Sequence, residues 1–212
     1  IINYSMNSSN PNYLGHMDSL PTTMSIIGDI IASSLNNNML SKETAPVFSE
    51  METLVIDSFA KKFKLGNQSG GVMLAGGSLS NLQGIGIARN RFFGSFEKGL
   101  IGLKRQPYIF ASEYCHTSIQ KAAMVLGLGT KSVVLVPTDS KGKMIISELK
   151  KLIKYKNNNN GYPFCIIATA GTTLTGSIDP LNEIAEIAIS LGAEVPFIRP
   201  KKWSEKSKFQ AS

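Results

Sequence analysis

Apolar positions recur along this chain at two rhythms, and the change from one to the other marks its organisation. Met24, Ile27, Ile31 and Leu35 follow Pro21, which suits a first helical turn, at helical spacing. They predict a helix over 21–35, ended by Asn36-Asn37-Asn38. Val47, Met51, Leu54, Val55, Ser58 and Phe63 trace one side of a second helix from about Pro46 to Leu65, with Gly66 placed as its stop. From Val72 onward short apolar runs alternate with helical periods. The predicted order is strand Val72–Ala75, helix Asn81–Phe92, strand Tyr108–Ala111, helix His116–Leu126, strand Val133–Val136, helix Ser147–Tyr155, strand Phe164–Thr169 and helix Leu181–Leu191. Strand and helix thus alternate four times, the pattern of an α/β domain with a mostly parallel sheet and helices on both faces.

Between these elements, Lys156 to Gly161 reads as a polar, mobile loop, and no internal repeat is visible. The rhythm breaks near the end. After Gly192 another buried strand is due, but Pro196 and Pro200 remove backbone donors and a basic, polar tail follows. The pattern therefore divides the chain into a helical segment (1–65), a partial α/β domain (66–192) and a divergent tail (193–212), with the tail unpaired with the sheet.

Composition narrows the function classes. The 212 residues suit one domain, and 42% hydrophobic content is enough for a core. No apolar run approaches the roughly 20 residues that span a bilayer, and the N-terminus has no signal-peptide pattern. The chain begins with Ile rather than Met, as one starting inside a longer reading frame does. Its formal charge of +7 invites a nucleic-acid reading, but the basic residues are scattered, with no compact block and no interleaved aromatics. The two cysteines, Cys115 and Cys165, form no C-x-x-C pair, and two histidines make no zinc-ligand pattern. A cytoplasmic protein with reduced cysteines fits these features.

Candidate chemistry gathers at strand ends, where parallel sheets bind ligands. Gly76-Gly77-Ser78-Leu79-Ser80-Asn81 lies between a strand and a helix. Its glycines let the backbone approach a ligand, its helix-opening amides suit a phosphate, and Ser78 adds a hydroxyl; an ordinary strand-to-helix turn would look the same. It is not a P-loop, since no Gly-Lys-Ser/Thr follows. His116, just past the next strand, can stack on a flat ring or move a proton, or can simply cap or pack the start of its helix. The third loop, Ala168 to Pro180, is dense in Gly and Thr and offers hydroxyls to a ligand, while Asp179 before Pro180 is placed as a helix N-cap.

In this order the three segments resemble the group II pyridoxal-phosphate (PLP) decarboxylases, which act on glutamate, aromatic amino acids or 2,4-diaminobutyrate. The likeness runs from about Asn10 to Gly192 and includes Pro11 to Met17, Pro21-Thr22 and Asn36 to Ser49. It implies the large PLP-binding domain of fold-type I enzymes, a PLP cofactor, an amino-acid substrate and, for the full-length family, a homodimer. It implies that Gly77 and Ser78 hold the cofactor phosphate with Asn81 beside them. His116 would stack on the pyridine ring and assist protonation as the catalytic residue. Thr173 would lie beside the cofactor, Thr22 near the substrate pocket, and Asp179 would match an aspartate that is not the partner of the ring nitrogen.

The sequence also departs from the family. The next family strand carries His-x-Asp-Ala, and further on a His-Lys pair supplies the Schiff-base lysine; neither follows Gly192 here, and Lys201 and Lys202 stand in a tail of different character. The resemblance thus implies a decarboxylase fragment with little or no activity alone. Two alternatives stand beside it: a non-catalytic remnant acting through a full-length subunit, and a different fold-type I enzyme such as an aminotransferase or desulfurase. The Gly-Gly-Ser, His, Gly-Thr-Thr order favours the decarboxylase over the last.

Overall fold

The computed structural model describes residues 4–15, 20–66 and 68–191. His16 and the tail from Glu194, expected to lie apart from the sheet, fall outside the described residues. The chain divides into two compact units, Ile1–Val55 and Ile56–Ser212.

In the first unit, α1 spans Thr23–Leu35. It starts two residues later than the sequence predicts, because Thr22 takes the N-cap: its Oγ1 accepts from the Ser25 amide at 3.1 Å. Asn36 ends the helix in a left-handed conformation (φ 44°), donating its amide to the Ala32 carbonyl at 2.9 Å. No residue of α1 is buried. The second helix, α2 (Pro46–Phe63), contains the boundary between the units. It stops before Gly66. Lys64 adopts the left-handed turn instead (φ 56°), and the Leu65 amide closes it on the Ala60 carbonyl at 3.0 Å.

The second unit is α/β. Three parallel strands, β1 (Gln106–Ser112), β2 (Val133–Val136) and β3 (Gly161–Ile167), lie in the order β2-β1-β3. Helices α3 (Gly77–Phe93) and α5 (Ser118–Val125) pack on one face, with Ile85, Ala88, Ile119, Ala122 and Ala123 against Ile109, Ala111 and Phe164. Helices α6 (Ile146–Asn158) and α7 (Leu181–Leu191) pack on the other, with Leu149, Ile153, Ile184 and Ala188 against Phe110 and Ile166. A short helix, α4 (Ser95–Lys98), follows α3. The alternation of Ile109, Phe110 and Ala111 between the two clusters is the period-2 alternation of a strand. It explains why β1 is apolar throughout: both its faces are covered. Phe164 to Ile167 are likewise all buried. The β1–β3 register passes from Tyr108↔Pro163 to Ile109↔Cys165, so Phe164 is the extra residue of a bulge beside a proline with no amide to give.

Two expectations fail here for physical reasons. Val72–Ala75 forms no strand. A strand exists only through its ladder, both edges of β1 are taken by β2 and β3, and a four-residue apolar run does not specify another edge. The predicted loop at Lys156–Gly161 is largely α6 and β3. The helix runs on to Asn158, and the turn is only Asn159 and Asn160, with Asn160 left-handed (φ 58°). The polar side chains there lie on an exposed last helical turn, which a composition reading cannot tell from a loop.

Candidate functional site

Because β1 and β3 are parallel, with Ala111 opposite Ile167, the turn after β1 and the loop after β3 leave the same edge of the sheet. The turn carries His116 and the loop carries Thr173. The N-terminus of α3 joins this edge through Asn81, whose Nδ2 donates to Ser118 Oγ at 2.8 Å in the first turn of α5. The three segments singled out by the sequence are thus tied to one edge, although the first of them follows no strand.

Helix α3 begins at Gly77, four residues before the predicted start, and Gly76 supplies its N-cap with φ 88° and ψ 164°, a conformation almost confined to glycine. No side chain caps the helix. Its first-turn amides have no intrahelical acceptor, and Gly77 and Ser78 are exposed, as is the Ser78 hydroxyl's residue surface. A Cβ at Gly76 or Gly77 would meet nothing within 4 Å, so open space lies over this end. Uncapped amides, the positive end of the helix and a neighbouring hydroxyl are a donor set suited to a phosphate. The residues present therefore fit the phosphate of PLP. The sequence places Asn81 beside this cradle; in the structure its amide is directed to Ser118.

His116 lies two residues before α5, exposed, and its Nδ1 accepts from the Ser118 amide at 3.2 Å while standing 2.8 Å from Ser118 Oγ. It therefore helps to satisfy the start of α5, and still leaves the rest of its ring open to solvent. Ser118 is buried, yet sequence reading passed it over, because an internal serine gives no signal until its neighbours are known. Glu113 is a second such residue. Its Oε1 accepts from the Thr138 amide at 2.7 Å and the Thr138 hydroxyl at 2.6 Å, bracing the β1 turn to the end of β2. Those hydrogen bonds, the hydroxyl first, hold its carboxyl below the usual range.

The loop after β3 corrects the sequence reading in detail. Its hydroxyls are spent largely on one another. Thr172 and Thr175 Oγ1 lie 2.6 Å apart, Thr175 Oγ1 and Ser177 Oγ 2.8 Å apart, and Ser177 Oγ donates to the Gly142 carbonyl at 2.7 Å. Thr173 stands outside this cluster and is exposed. Asp179 does not cap α7. It is buried, and its two carboxylate oxygens accept from the amides of Met144 and Thr169, each at 2.8 Å. Its oxygens tie the segment just before α6 to the loop just past β3, and α7 begins at Leu181, so Pro180 and not Asp179 stands at the helix cap. Burial raises its pKa, against the lowering effect of those amides. Burial, and then the charge of Asp179, push the Cys115 thiol up to about 11, so it is not a nucleophile at neutral pH. Thr22 belongs to the other unit, where its hydroxyl caps α1. Among the described residues no group of three or more His, Cys, Asp or Glu side chains could hold a metal ion, and no helix is long and apolar enough to cross a membrane.

Comparison with known proteins bears on the family and the fold. Residues 1–195 match the family model described as the pyridoxal-dependent decarboxylase conserved domain. The chain is 37% identical to the glutamate decarboxylase of Drosophila melanogaster, with 88% of this chain and 36% of that protein aligned. It is 38% identical to the cysteine sulfinic acid decarboxylase of Rattus norvegicus, with 88% and 38% aligned. Among solved structures, mouse CSAD in its apo form superimposes with a TM-score of 0.81 at 35% identity, covering 85% of this chain and 38% of that one. The chain thus spans little more than a third of the length of these relatives. With PLP as the family's cofactor and a parallel α/β domain like that of its solved members, this chain belongs to the pyridoxal-dependent decarboxylase family.

Proposed function

We propose that this chain contributes the phosphate-and-ring side of a PLP site in an amino-acid decarboxylase, and that the 212 residues alone have little or no activity. The observation that supports this most is the uncapped N-terminus of α3, with Gly77 and Ser78 exposed, joined through Asn81 and Ser118 to the exposed His116. In this reading the Gly77 and Ser78 amides and the Ser78 hydroxyl hold the phosphate. The imidazole of His116 would lie on the ring side of the cofactor and supply a proton there. Thr173 would border the cofactor from the loop after β3. PLP itself, when bound, supplies the electron sink for loss of the carboxylate. The family's Schiff-base lysine has no match among these residues, which is why low activity is expected. The substrate is an amino acid. The relatives' names favour an acidic one. The setting is the cytoplasm and the working unit a homodimer. For the dimer the support is α1, which buries none of its residues and exposes Ile26, Ile27, Ile30 and Ile31.

Titration of the chain with PLP, followed by visible absorption and by borohydride trapping, tests the reading. Reversible binding displaced by inorganic phosphate is expected, without a trapped adduct on one particular lysine and without carbon dioxide release above that of free PLP. Binding that phosphate does not displace would sink the phosphate assignment. A tight adduct on a single lysine, or release of carbon dioxide that His116→Ala abolishes, would sink the claim of low activity.

A further inference from the structure

The hydrogen-bond accounting around His116 specifies more than its position. Its Nδ1 receives the Ser118 backbone N–H at 3.2 Å. A backbone amide can only donate, so Nδ1 must offer its lone pair and the hydrogen of the neutral ring must be on Nε2. Ser118 Oγ, 2.8 Å from the same nitrogen, has one hydrogen and two lone pairs. One lone pair accepts from Asn81 Nδ2, also at 2.8 Å, and because an Nδ1 that accepts the amide carries no hydrogen, the hydroxyl must be the donor to Nδ1, whose one lone pair it shares with the longer amide contact. Ser118 is 2% exposed, so water does not compete for that hydroxyl. The result is a directed chain, from Asn81 to Ser118 to His116, that begins on the helix whose first turn offers the phosphate cradle.

We propose that Asn81 and Ser118 are positioning residues that fix His116 as its Nε2–H tautomer, so that the ring presents a hydrogen-bond donor, and not an acceptor, to the ligand. The ring is thereby matched to an oxygen anion such as a carboxylate, and unsuited to act as a base through Nε2 while neutral. What the ring meets rests on the function proposed above; the tautomer itself does not.

The test needs no cofactor. The full 212-residue chain, labelled with 15N-histidine and sedimented, is studied by magic-angle-spinning NMR, which tolerates association. His16→Gln assigns the signals, since the chain has only two histidines. In the neutral ring of His116, Nδ1 is expected at the lone-pair position and Nε2 at the protonated position, well separated. Ser118→Ala keeps the 3.2 Å backbone amide but loses the shorter hydroxyl donor, so the two signals should move partway toward one another as the tautomer is held less firmly, and Ser118→Thr, which restores a hydroxyl, should recover the separation. Asn81→Leu, which keeps Ser118, should shift them the same way by less and covers the case in which Ser118→Ala does not fold. A protonated Nδ1 in the unsubstituted chain, or signals unmoved by both Ser118→Ala and Asn81→Leu, would overturn the proposal. Correct tautomer signals with no phosphate-displaced PLP binding would leave it standing and sink the cofactor reading instead.

Discussion

Two glycine-rich segments meet the same edge of the sheet and use their polar groups in opposite ways. At the start of α3, glycine and serine leave amides and a hydroxyl turned to solvent, with no side-chain cap. After β3, Thr172, Thr175 and Ser177 satisfy one another and the Gly142 carbonyl, while Asp179 ties Met144 and Thr169 together. In sequence both look like ligand loops. The difference shows that a density of hydroxyls is not itself a sign of binding. What distinguishes a site is donors left without protein acceptors, and what distinguishes a brace is a closed set of partners.

Breaking the brace should have the largest effect. Asp179→Ala leaves two amides at a buried carboxylate site without their acceptor and is expected to cost about 3 kcal/mol of stability, at roughly 1–3 kcal/mol per unsatisfied group. Denaturant unfolding measures it, and a loss no greater than that of an exposed-site substitution would show that the loop is not held this way.

The two carboxylates of this edge should also respond oppositely to pH. Burial raises Asp179 above its unfolded value, so its contribution favours the folded state most at acid pH and declines as pH rises through its folded pKa. Glu113 is lowered by the Thr138 hydrogen bonds, so its contribution is full at neutral pH and is lost as pH falls through its folded pKa. Comparing the pH dependence of stability in Asp179→Asn and Glu113→Gln tests these signs: the first should remove the decline with rising pH, the second the loss in acid.

Gly142→Ala should cost about 1–2 kcal/mol, because φ is 72° and a Cβ would stand 3.0 Å from Thr175 Oγ1 and 3.2 Å from Ser177 Oγ. A melting temperature unchanged from that of the parent chain would contradict the contact between these two loops.

Gly77→Ala sharpens the comparison from the other side. The position lies in open space with no left-handed backbone, so stability should change by only about 0.5 kcal/mol. Phosphate-displaceable PLP binding should nonetheless weaken, since the methyl group intrudes on the cradle. Equal losses of stability and binding would mean that the glycine serves the fold alone.

How much was legible in the sequence follows from what each signal depends on. The alternation of apolar runs gave β1, β2, β3 and the helices between them, because burial on both faces demands continuous apolar strands. Val72–Ala75 has the same local signal without a ladder, which is why it misled. Asp179 before Pro180 had the pattern of a cap, but its oxygens were claimed by amides 35 and 10 residues away. Ser118 gave no signal at all, since its importance lies in a contact with Asn81 across 37 residues.

By itself, the sequence determined the α/β class, the end of α1 at Asn36, and the residue types at the strand ends, because propensity, capping and burial act over a few residues. Only the tertiary structure decided which of those polar groups face one another and which face solvent. Hydrogen-bond satisfaction is a property of a folded neighbourhood, and it is this that leaves the α3 amides open, closes the Thr172–Ser177 cluster and turns the lone pair of His116 Nδ1 toward Ser118.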